Sequence, residues 1–388
     1  MQFRSVRALV EICILSTALT LAGCGSGSSS FQTSPPPPAP AEFLYTTSYG
    51  SILVFSLNPT TGVLTEEPSG PLSPGGFGIA ANPSNTFLYS IDDYVGGVDA
   101  SSISQTGALS AVSGSPFLLP DAPPGFGSPP VDSLAMHPSG NFLYAPDPPA
   151  NEVVGFAIDS TTGALTPVPG SPFPTGTQPE QVVIDPSGQF LYVSDFSGWG
   201  ISGFTISSST GALTTITGSP FFSDGDPDGI VVHPSGKFLY CTNTYENSIA
   251  AFTIDQTTGV LAAVPDSPFS LGLGVSSAPY SMAQDPAGKF LYVLGSGDGN
   301  IYEFAVDANS GALTPATGSP VHQGLGLDAS SLTVDPAGKY LYFSSQLQDY
   351  IHILNIDGTT GALSWAAESS VSADGFPLGL TIVTLPQQ

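Results

Sequence analysis

From about residue 41 onward, apolar and polar residues alternate in short runs bounded by Gly, Pro, Asn and Asp. That period of two predicts β-strands joined by tight turns. Residues 233–269, HPSGKFLYCTNTYENSIAAFTIDQTTGVLAAVPDSPF, show the plan. FLYCTN and SIAAFTID are strand-like, the polar insert TYEN separates them, and the Gly-bearing turn DQTTG follows. No helical period occurs in this part of the chain.

The plan recurs. An F/Y-L-Y signature ends at Tyr45, Tyr89, Tyr144, Tyr192, Tyr240, Tyr292 and Tyr342. The glycine of T/S-G-x-L falls at Gly62, Gly107, Gly163, Gly211, Gly259, Gly311 and Gly361. Both sets have seven members, 44 to 56 residues apart. An x-P-[SA]-[GN] turn begins at Asn82, His137, Asp185, His233, Asp285 and Asp335, before every F/Y-L-Y except the first. A period of this length with about four strands per unit predicts an all-β, seven-bladed β-propeller with four-stranded blades. The first signature has no inner strand before it, and residues 377–385, PLGLTIVTL, read as an inner strand with no signature after it. The C-terminal strand is therefore expected to complete the N-terminal blade and close the ring.

Before the first strand the pattern changes. Arg4 and Arg7 precede an apolar stretch at residues 12–21 that is too short to span a bilayer. Leu21-Ala22-Gly23-Cys24 follows and resembles a bacterial lipobox. Residues 1–23 are expected to be a lipoprotein signal peptide, and Cys24 the lipidated N-terminus. Residues 24–42 form a Gly/Ser/Pro-rich tether, and residues 43–388 the propeller. The expected location is the bacterial cell envelope, on its periplasmic or extracellular face, anchored to the membrane through Cys24. The expected state is a monomer.

Composition narrows the functions. Charged residues make up 9% of the chain and the formal net charge is −26. Removing residues 1–23 leaves Lys237, Lys289 and Lys339 as the cationic side chains, with no Arg. Nucleic-acid binding, which rests on phosphate neutralisation, is excluded. Cys241 is then the one cysteine besides Cys24, so no disulfide forms within the mature chain; after FLY in a strand it reads as buried.

Comparison among the repeats separates framework from candidate chemistry. His137 and His233 stand where other units carry Asn or Asp, so they read as turn residues. Lys237, Lys289 and Lys339 share one position on the turn face, and His352 sits within a strand. Five residues before each turn residue lie Phe77, Asp132, Glu180, Asp228, Tyr280 and Ser330, with Leu378 their counterpart in the closing strand. These should ring one mouth of the central channel. Three consecutive blades place Asp132, Glu180 and Asp228 there. Carboxylates crowded in a concave mouth raise one another's pKa or hold a cation. The alternative is that all three are hydrated loop acids. Asp224, Asp226 and Asp228, in D-x-D-x-D-G, resemble the start of a calcium loop, although position twelve is Ser235, so an EF-hand is excluded. Ca²⁺ or another divalent cation is the candidate cofactor. His322, without an equivalent in other units, is a further candidate base or ligand. No G-x-S-x-G, H-E-x-x-H, Walker loop or C-x-x-C occurs.

D-P-[SA]-G-K-F-L-Y, then N-x-I-x-x-F-x-I-D-x-x-T-G-x-L and G-S-P-F, resemble the seven-bladed lactonase family of 6-phosphogluconolactonase and muconate-cycloisomerase-like propellers. The resemblance covers residue 42 to the end. It implies hydrolysis of a sugar lactone or a related ring opening. The family's inner strand often begins Pro-Arg-His; here the matching segments read Pro179-Glu180-Gln181, Pro227-Asp228-Gly229 and Pro279-Tyr280-Ser281. A phosphorylated substrate would meet a negative mouth, so an uncharged or metal-chelated lactone is expected. Two readings follow. One is a lactonase-like hydrolase with Asp132, Glu180 and Asp228 as cation holders or base. The other is a non-catalytic envelope propeller that recognises glycan, peptide or another envelope protein.

Overall fold

The computed structural model describes residues 41–48, 50–67, 76, 78–92, 95–120, 133–272, 277–322 and 329–386. The expected signal peptide, Cys24, Phe77 and Asp132 lie outside them.

Seven antiparallel sheets are present. The repeat whose signature begins at Phe43 supplies blade 1, and the later repeats supply blades 2 to 7 in chain order. Blade 4 shows the plan: inner strand Pro179–Ile184, then Phe190–Asp195, Gly200–Ile206 and Leu213–Thr215. The F/Y-L-Y strands of blades 2 to 7 are wholly buried because sheet packs on sheet on both of their faces. The ring closes as the unmatched ends of the sequence require. Inner strand Leu380–Leu385 pairs antiparallel with Ala41–Ser48, from Ala41 opposite Leu385 to Thr46 opposite Leu380. Each inner strand also lies beside the inner strand of the next blade, so the seven form an unbroken circle.

The two repeated signatures are one device. In every blade the F/Y-L-Y tyrosine hydroxyl donates to the carbonyl of the turn glycine in the following blade, at 2.7 to 3.2 Å. Burial pushes these phenols far above their ordinary range, which keeps them protonated donors. The aromatic ring two residues earlier lies flat against the same glycine. A Cβ on Gly259 would sit 2.5 Å from the Phe190 ring, and the backbone there has φ +73°. Only glycine satisfies both demands.

The turn acids are framework as well. Asp185 Oδ1 accepts the N–H groups of Gln189 and Phe190 at 2.8 and 2.7 Å. His137 and His233 do related work. Each Nδ1 accepts the N–H of the Ser two residues on, at 3.0 and 3.1 Å. The proton is therefore on Nε2, which donates to Gly188 and Gly288 of the next blade at 2.9 and 2.7 Å. Cys241 and His352 are buried, the latter stacked 4.8 Å from Phe343.

One feature departs from the four-strand plan. Blades 2 to 6 carry a fifth strand of two residues, such as Phe173–Pro174, paired to the mouth end of the third strand. It comes from the G-S-P-F segment, whose serine hydroxyl accepts a third-strand N–H, as Ser171 Oγ does from Gly155 at 3.0 Å.

Candidate functional site

The inner strands of blades 4 to 7 do not begin regularly. In each, the register shifts against the F/Y-L-Y strand just after the first residue: between Pro179 and Val182, Pro227 and Ile230, Pro279 and Ser281, and Ala329 and Ser331. These are β-bulges, which re-aim side chains and concentrate near functional sites. The bulged residues are the ring read from the sequence: Glu180, Asp228, Tyr280 and Ser330. Leu378 stands at the same level before the closing strand, its N–H donating to the Thr47 carbonyl at 2.8 Å.

A cavity of about 130 Å³ opens between these strands. Gln181, Tyr280, Ser281, Ser330, Ser331, Leu378 and Gly379 line it, and most of that wall is polar. Ser330 is anchored through the Ser344 hydroxyl at 2.9 Å. Gln181 bridges blades, its Oε1 accepting the Ile230 N–H at 3.3 Å. Gln181 was not a candidate from sequence, because strict alternation turns position 181 away from position 180. The bulge turns Gln181 to the cavity wall, while Glu180 is buried beside it in the chain.

Glu180 is a strongly perturbed acid. It is 8% exposed, and Gln178 Nε2 donates to its Oε1 at 2.7 Å. Burial raises its pKa from the usual carboxylate range to about 7, with the Gln178 bond pulling only weakly the other way. Gln178 is itself held: its N–H donates to Asn151 Oδ1 at 2.8 Å, and its Oε1 accepts from the Ser197 hydroxyl at 2.7 Å. Asp228, the next acid around the ring, is also buried, at 6% exposure.

A second perturbed acid, Asp195, escaped the sequence reading. It ends FLYVSD and resembles an ordinary strand-end acid. The loop before the inner strand folds over it, leaving it with no exposed surface. It accepts from Gly176 N–H at 3.1 Å and Ser202 Oγ at 2.7 Å, yet burial still raises its pKa to about 7. FLYSID and FLYAPD end alike, in Asp92 and Asp147, both buried, so the repeats mark the position as loop-holding framework.

The remaining candidates lie elsewhere. Asp224 is exposed with φ +68°, while Asp226 is half-buried at the rim. Burial, then the neighbouring Glu246, raises the Asp226 pKa. Among the described residues no three His, Cys, Asp or Glu side chains come together to hold a metal, the Asp224, Asp226 and Asp228 set included. His322 is exposed in a two-residue strand on the outer part of blade 6, its Nδ1 2.8 Å from Asn300 Oδ1, two strands away from the inner strand.

The model of one protein family, the seven-bladed β-propeller lactonases, matches residues 42–223 and 217–327. No curated protein matches the chain. Among solved structures, a candidate 6-phosphogluconolactonase from Bacteroides fragilis superposes with a TM-score of 0.74 at 20% identity, covering 90% of this chain and 100% of that one. A protein from Lactobacillus plantarum gives 0.73 at 20% identity, over 89% and 99%. The periplasmic gluconolactonase of Pseudomonas aeruginosa gives 0.72 at 17% identity, over 89% and 100%. At these identities the likeness is one of fold. The family model spans most of the chain, and the seven closed blades agree with it: the chain belongs to the seven-bladed β-propeller lactonase family.

Proposed function

We propose that this chain hydrolyses an uncharged lactone at the channel mouth, with Glu180 as general base. The observation that carries the reading is the Glu180 carboxyl, with a pKa of about 7, buried in the bulge whose next residue, Gln181, lines the polar cavity. Such a base is half deprotonated at neutrality and strong enough to take a proton from water. Family membership supports the reaction class, and so does the gluconolactonase named among the structural neighbours.

The chemistry assigns each part. Glu180 takes a proton from water as the oxygen adds to the lactone carbonyl carbon. The ring C–O bond then breaks, and the protonated Glu180 returns its proton to the departing alkoxide. The Gln181 amide and the hydroxyls of Tyr280, Ser281 and Ser331 supply donors for the carbonyl oxygen as it gains charge, and for substrate hydroxyls. Glu180 and Asp228 make the mouth hostile to a phosphate, which selects a neutral ring. Release of Cys24 as a lipidated N-terminus would place the reaction at the cell envelope. A panel of neutral and phosphorylated sugar lactones, assayed by acid release, tests the proposal: turnover of neutral lactones is expected, and preference for phosphorylated ones contradicts it.

A further inference from the structure

Blades 4 and 5 share an uncovered surface beside the mouth, built from segments that strand pairing and hydrogen bonds hold together. Trp199 is 54% exposed, Phe222 64% and Tyr245 70%. Phe222 pairs with Gly200, next to Trp199. The Trp199 side chain lies close enough to the Asp226 carboxyl to favour its charged form. Glu246 accepts the Asp226 N–H at 3.3 Å, and its neighbour Tyr245 packs on Phe196 with ring centroids 5.9 Å apart. Large rings are thus exposed together around Asp226 and Glu246, with no cationic side chain among them.

We propose that this surface docks an arginine-bearing segment of a partner protein. Exposed apolar patches of this kind on a soluble domain mark interaction sites, and Trp and Tyr are the residues that dominate binding energy at protein interfaces. The charge specifies the occupant. A guanidinium stacks on aromatic faces and pairs with carboxylates through the same planar fork, and the mature chain has no Arg of its own to fill the site. An anionic partner is repelled by Asp224, Asp226 and Glu246, and a wholly apolar one would strip those carboxylates of water without replacing it. The surface is separate from the cavity of the proposed hydrolysis and does not depend on that activity.

The test uses the purified chain from residue 25 onward, a fluorescent Gly-Arg-Gly-Arg-Gly peptide, its citrulline counterpart and a neutral oligosaccharide, followed by anisotropy. Trp199 and Trp365 are the only tryptophans, so quenching that disappears in Trp199→Phe locates the contact. Saturable, salt-sensitive binding of the Arg peptide is expected, weakened about fivefold by Tyr245→Ala and by Trp199→Ala, with thermal melting unchanged. Tyr245→Ala removes no charge, so unchanged affinity in that variant reduces the binding to attraction by the net charge and overturns the proposal. Equal binding of the citrulline peptide, or binding of the oligosaccharide alone, overturns it too.

Discussion

The Tyr342 hydroxyl donates to the Gly62 carbonyl at 2.9 Å across 280 positions of sequence. It is the last of seven equivalent bonds and the one that joins blade 7 to blade 1. Removing the hydroxyl leaves a buried carbonyl without its donor. Tyr342→Phe is expected to cost about 1–3 kcal/mol, read as a lowered urea midpoint with an unchanged slope. Tyr192→Phe, whose bond to Gly259 joins two mid-chain blades at 2.7 Å, should cost a similar amount. A much smaller loss at Tyr342 would mean that the seam is not held as the other joints are.

Gly259→Ala tests the other half of the same joint. The new methyl meets Phe190 at 2.5 Å and Ile216 at 2.6 Å, in a backbone region that disfavours any side chain. Strain and overpacking together predict a loss of about 3 kcal/mol or more. Gly318, with φ +100° but open space around it, should lose less on the same change.

These joints show what a linear reading can recover. Both signatures were visible because they repeat, and their spacing gave the blade number and the closing strand. Their physical role was not visible, since each tyrosine meets its glycine in the following blade. The two-residue fifth strands are too short to show alternation. At the mouth, counting back from the turns found Glu180, Asp228, Tyr280 and Ser330, because the repeat fixes that position whatever the backbone does there. Gln181 was hidden by the bulge. The burial of Asp195 depends on Gly176, brought over it by a separate loop. The aromatic surface was hidden because Trp199, Phe222 and Tyr245 come from separate segments.

Asp195 predicts a pH dependence of stability. Burial raises its native pKa from 3.8 to about 7, so between those values the native state holds a proton that the unfolded chain has lost. The contribution of this group is full below about pH 3.8 and declines until about pH 7. Asp195→Asn removes the titration. Urea melts at pH 4.5 and 7.5 should show the variant gaining on the native protein at the higher pH; a difference independent of pH would refute the assignment.

Cys24→Ser should move the protein from the membrane fraction to the soluble fraction in the organism that makes it, and abolish labelling by a radioactive fatty acid. Retention in the membrane would contradict the proposed lipid anchor.

The central claim rests on Glu180, and its pH–rate profile is the most direct measurement. For hydrolysis of a neutral sugar lactone, corrected for the spontaneous rate, kcat/KM should rise with pH and level off above about pH 7, as the Glu180 carboxyl loses its proton. Glu180→Gln keeps the shape of the side chain and its contact with Gln178, and should lower kcat/KM by about 10²–10⁴-fold and remove that limb. A Glu180→Gln variant with the native rate and the same pH limb, or a native protein no faster than buffer, would contradict the account.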